Sequence, residues 1–186
     1  MNYPISARAA LSHAIDHIER LQNGKGWADP AVVARLPHAY LAVRVALRSA
    51  IARQRLTCFV SESFSPDQAA LHMLCLQAHV TLRDLNRRKL GRTEFTRLNI
   101  AATKISASSI HFTSPTLFYQ AAGELLDLQR AQGLHTVVCE RRTDRNLDAW
   151  REDLEFVSRM TGAEIHLIAG RLPVAGRFIS GLRQMA

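Results

Sequence analysis

Lysine is almost missing from this chain. Of 24 basic residues only Lys25, Lys89 and Lys104 are lysines, and the other 21 are arginines. Cysteine is scarce too. Cys58, Cys75 and Cys139 make an odd number, each sits in an apolar run, and no CxxC occurs. That excludes a disulfide framework and the usual paired-cysteine metal or redox motifs. The nine glycines never fall into GxGxxG, GxxxxGK[ST] or GxSxG. A dinucleotide enzyme, a P-loop NTPase and an α/β-hydrolase each lose their main signature. No window approaches 18 apolar residues, so no spanning helix is expected. Arg8, His13, Asp16, His17 and Glu19 break up the N-terminus, which does not read as a secretory leader. The expectation is a cytoplasmic protein with reduced, buried thiols.

What is present is a chain of 186 residues, 47% of them hydrophobic, with a formal net charge of +8. That is enough to bury a core without a metal or a disulfide, and it suits one compact unit. Three helix starts share one design, a capping side chain followed by proline: Asp29-Pro30, Ser65-Pro66 and Ser114-Pro115. Ser65 has Gln68 three residues on, the capping-box spacing. Leu11, Ile15, Ile18 and Leu21 predict a first helix from about Ser6 to Gln22. A second helical region follows Asp29, is interrupted at Pro37, and continues to about Arg53. Long helices are expected from Pro66 to about Lys89 and from Thr93 to Lys104. Strands are expected at 56–61, 109–113, 134–139 and 163–168, with helices at 115–132, 147–161 and 174–184. Gly133 and Gly162 close two of these helices.

This alternation predicts an α/β fold, with a largely parallel four-stranded sheet flanked by helices and preceded by an N-terminal helical segment. Residues 1–55 form that segment, packed on the core, and residues 56–186 form the α/β domain.

Charge is regional. Residues 1–93 hold 13 basic and 6 acidic side chains, whereas residues 94–186 hold 11 and 10. The densest patch is Arg83, Arg87, Arg88, Lys89 and Arg92, extended by Arg44 and Arg48 one turn apart. Such a footprint suits phosphate contacts to nucleic acid, DNA or RNA. The leading expectation is a non-catalytic nucleic-acid-associated accessory protein needing no cofactor and no metal. A helix-turn-helix around Gly91 fits poorly, because Arg87 falls where a small residue should pack.

Two alternatives come from other classes. In a parallel sheet ligands bind beyond the carboxyl ends of the strands. Ser61, Glu62, Ser63, Thr113 and Ser114 are expected there, with Glu140, Arg141, Arg142 and Arg171 as a possible site for a phosphorylated ligand in a small enzyme or sensor. The bland counterpart pairs Arg141 and Arg142 with Asp144 or Asp148. The third class is an interaction subunit docking a protein partner through the helices before residue 57. His13 and His17, one turn apart with Asp16 beside them, resemble a zinc spacing, but they lie on the polar face of a helix with no further ligand motif. Glu155 between Arg151 and Arg159 reads as a salt-bridged solvent face.

Overall fold

The computed structural model describes residues 5–22, 37–86, 90–113, 118–141, 147–169 and 179–180. In chain order the elements are β1 (Ile5–Ser6), α1 (Ala7–Gln22), α2 (Pro37–Leu47), a π-helical turn (Arg48–Ala52), β2 (Thr57–Ser61), α3 (Pro66–Ala78), α4 (Leu82–Asn86), α5 (Arg92–Ser106), β3 (Ile110–Thr113), α6 (Phe118–Gln132), β4 (Thr136–Arg141), α7 (Leu147–Thr161), β5 (Glu164–Ala169) and β6 (Ile179–Ser180).

The sheet order is β1-β3-β2-β4-β5-β6. The four central strands β3, β2, β4 and β5 are parallel, as the alternation predicts. Two short strands add antiparallel edges, β1 on β3 and β6 on β5. The terminal helix expected over 174–184 is not seen at Ile179–Ser180, which pairs with His166 and Leu167 of β5.

Alternate side chains of the strands build two cores, as the period-2 geometry of a strand requires. Phe59, Ile110, Phe112, Val138 and Ile168 face a cluster shared with α1 to α5. Cys58, Val60, Val137 and Cys139 face a second cluster shared with α6 and α7. The protein is therefore a helix–sheet–helix sandwich. The apolar faces of α1 and α2 (Ala7, Ala10, Leu11, Ala14 and Ile18, then Ala39, Ala42, Val43 and Ala46) are used within the chain's own core.

α3 explains itself by its composition. Every residue from Ala69 to Cys75 is buried, so the helix has no polar face to turn to water. Its start follows the expectation at Ser65. The Ser65 hydroxyl accepts from the Gln68 N–H at 3.3 Å, and the Gln68 amide oxygen accepts from the Ser65 N–H at 3.0 Å. Its end does not. The expected helix to Lys89 stops at Ala78, because His79 turns left-handed (φ 53°) and sends its N–H back to the last turn. Thr81 then starts α4, its hydroxyl accepting from the Asp84 N–H at 3.0 Å. Gly133 and Gly162 close α6 and α7 at φ +75° and +69°, conformations that glycine adopts without strain. Asp29-Pro30 and Ser114-Pro115 lie outside the described residues.

The route of the chain creates one special place. After β2 the chain leaves to the α3–α5 face, and after β4 it leaves to the α7 face. Because β2 and β4 are neighbours, their carboxyl ends mark the point where the chain switches faces, the place where parallel sheets commonly bind ligands.

Candidate functional sites

That switch point is occupied by Ser61, Glu62, Ser63, Glu140 and Arg141. β4 runs two residues further than its sequence pattern suggests. Glu140 and Arg141, expected in the loop beyond the strand, are its last two residues, and both are buried. Burying a carboxylate costs several kcal/mol unless donors meet it. Here they do. The Ser61 hydroxyl donates at 2.7 Å, the Ser63 hydroxyl at 2.7 Å and the Ser63 N–H at 3.0 Å. Ser61 in turn accepts from the N–H groups of Ser63 and Phe64 at 3.1 and 2.9 Å, a hydroxyl-closed turn. Glu140 thereby locks the loop that feeds Phe64 and the capped start of α3.

Arg141 faces the same region. Its Nε donates to a Glu62 carboxylate oxygen at 3.1 Å, and its guanidinium lies 4.3 Å from the Trp150 ring centre. The expected counter-ion Asp144 lies outside the described residues, and so do Arg142 and Arg171. At the end of β3 the Thr113 hydroxyl donates to Glu124 of α6. The switch point therefore holds an internally bonded carboxylate and an ion pair set against an aromatic ring. It can fix a loop and a strand end.

The basic residues divide differently. Arg53 and Arg55 share Glu164 at 3.7 and 2.8 Å, Arg97 pairs with Glu94 and Arg130 with Asp127. Arg44 on α2, Arg48 just after it, Arg83 on α4 and Arg92 at the start of α5 are exposed, and each stands without a side-chain partner among the described residues. Arg8 on α1 and Lys104 on α5 are in the same condition, and no motif in the sequence marks them. All six belong to the α1–α5 layer. On the opposite layer Arg159 alone among the described residues is like them. The expected Glu155–Arg159 pair is not formed, and Glu152, Asp153 and Glu155 precede that arginine on the same helix. Arg87, Arg88 and Lys89 lie outside the described residues.

Other titratable groups are absorbed by packing. His13 Nδ1 lies 3.2 Å from Asp67 of α3 rather than joining a ligand set. His72 is buried against Phe64, with ring centres 4.8 Å apart, and burial lowers its pKa to about 4. Burial pushes all three thiols up, Cys75 to about 12, so none is a thiolate near neutral pH.

No family model matches the chain, and no curated protein matches it.

Proposed function

We propose that the protein is a non-catalytic, cytoplasmic accessory protein that binds nucleic acid through the phosphates, using the helical layer of α1, α2, α4 and α5. The supporting observation is the distribution of charge left without a carboxylate. Six such cations lie on this layer and one on the other, among the described residues. Their spread favours a polymer over a small anion. Arg92 and Lys104 are twelve positions apart on α5, about 18 Å at 1.5 Å per residue. Arg48 precedes Ser49, whose hydroxyl reaches Thr136 at the amino end of β4. One phosphate meets one or two guanidinium groups, while a nucleic-acid backbone repeats its charge along such a length. Protonated, buried cysteines agree with a reducing compartment. Among the described residues no helix is long and apolar enough to cross a membrane.

Fluorescence anisotropy with labelled 20-mers of DNA and RNA tests this reading. Binding at 50 mM salt should weaken steeply towards 200 mM. Replacing Arg44, Arg48, Arg83 and Arg92 with alanine should reduce the slope of log K against log salt by about 0.7–0.9 for each phosphate that is no longer neutralised. Failure to bind any of these probes at 50 mM salt would falsify it.

The second reading, a phosphorylated ligand at the strand ends, draws support from the topological switch between β2 and β4. Its acid, Glu140, and its arginine, Arg141, are occupied by Ser61, Ser63 and Glu62, so the first reading is preferred.

A further inference from the structure

The helical layer carries more than charge. Tyr40 of α2 is 45% exposed and stands one turn before Arg44. Phe95 of α5 is 39% exposed and stands one turn after Arg92. An aromatic side chain gains by leaving water, and rings of this size are usually covered by their own protein. Neither ring is stacked on another aromatic or covered by a cation among the described residues. Both are therefore partly exposed rings beside an arginine that has no carboxylate partner among the described residues.

Building on the phosphate-contact reading above, we infer that the strand bound by this layer is single-stranded nucleic acid, with unpaired bases stacked on Tyr40 and Phe95. The chemistry discriminates clearly. Phosphate contacts from arginines carry no base information and do not by themselves select a single strand, because single strands and duplexes both present a phosphate backbone. An open ring offers its face only to a base that has left its own stack, and in a duplex both faces of each base are already covered. Cations that track the backbone and rings that receive bases are the two components of sequence-tolerant single-strand binding.

Phe156 supplies the internal control. It is 48% exposed on α7 and also has a neighbouring arginine, Arg159. Glu152, Asp153 and Glu155 share that helix, so its local field repels phosphates.

The test compares a labelled (dT)20, a 20-nucleotide poly(U) RNA and a 20-base-pair DNA duplex at 50 mM salt. The wild-type protein should bind either single strand at least about tenfold more tightly than the duplex. Tyr40→Ala and Phe95→Ala should each weaken single-strand binding by about fivefold or more. They should leave duplex binding and the salt slope unchanged, and Phe156→Ala should change nothing. Tyr40→Phe should retain affinity, since stacking needs the ring and not the hydroxyl. Intrinsic quenching of Tyr40 on adding (dT)20, lost in Tyr40→Phe, reads the stack directly. Equal affinity for duplex and single strand, or equal loss on both probes in the ring variants, overturns the inference and leaves the phosphate reading intact. Absence of binding to all three probes overturns both.

Discussion

Ser63 grips Glu140 twice, through its N–H at 3.0 Å and its hydroxyl at 2.7 Å. The two residues are 77 positions apart, on loops and strands that reach each other only through the sheet. This lock makes a buried carboxylate tolerable and fixes the β2–α3 loop. Glu140→Leu removes the acceptor and leaves the hydroxyls of Ser61 and Ser63 facing an apolar side chain. The expected loss is about 3 kcal/mol, seen as a lower urea midpoint with an unchanged m value. Glu140→Gln retains one acceptor oxygen and should lose about half as much. A Glu140→Leu variant as stable as the wild type would remove this structural role.

Arg141 is joined to Glu62 by charge and to Trp150 by stacking. Lysine can replace the charge but not the planar contact. Arg141→Lys is therefore expected to destabilise by about 1 kcal/mol and to shift Trp150 emission. A lysine variant indistinguishable in both readouts would show that the ring contact contributes nothing.

His72 gives the stability curve a definite slope. Its folded pKa is about 4 against an ordinary histidine value of 6.5. The unfolded chain thus takes up a proton first as pH falls, and the folded state loses ground between about pH 6.5 and 4. Above pH 6.5 both states are neutral at this site, and the residue contributes no slope. The full effect is about 3 kcal/mol. His166, also lowered by burial, acts in the same direction. His72→Phe, which can still pack on Phe64, should flatten the difference between pH 7 and pH 5 in urea titrations. An unchanged pH dependence in that variant would contradict this assignment.

Three glycines separate backbone conformation from space. Gly133 and Gly162 hold positive φ at the ends of α6 and α7, while Gly123 lies inside α6 with nothing near its missing Cβ. Alanine at Gly133 or Gly162 should lower stability by about 1 kcal/mol. Alanine at Gly123 should raise it by about 0.5–1 kcal/mol. Thermal unfolding of the three variants gives the signs. A stabilising Gly162→Ala would contradict the left-handed end of α7.

Periodicity and punctuation made the parallel core of the sheet legible. Ser65-Pro66 with Gln68 marks the start of α3, and Gly133 and Gly162 mark two helix ends, because these signals are local. The break at His79 was not legible. A left-handed turn by a residue with a Cβ is set by what Val80 and Leu85 bury afterwards, and only the folded chain supplies that. The end of β4 was hidden for a similar reason. Glu-Arg-Arg reads as an exit into solvent until Ser61, Ser63 and Glu62 arrive from the other half of the chain. On the candidate interface, helical spacing identified Arg44 and Arg48. The exposure of Tyr40 and Phe95 depends on which helix faces the core leaves uncovered, and composition does not reveal that.

The pairing of β2 with β4 has a kinetic consequence. Ser61 and Glu140, hydrogen-bonded neighbours in the sheet, are 79 residues apart in sequence. During synthesis β2 can join β3 early, but its other edge stays unsatisfied until one more helix and strand, α6 and β4, have emerged. Long-range parallel pairing of this kind closes slowly and leaves an adhesive strand edge exposed meanwhile. Refolding should therefore be slow for a chain of this length, and the nascent protein is most prone to self-association in the interval before β4 is complete.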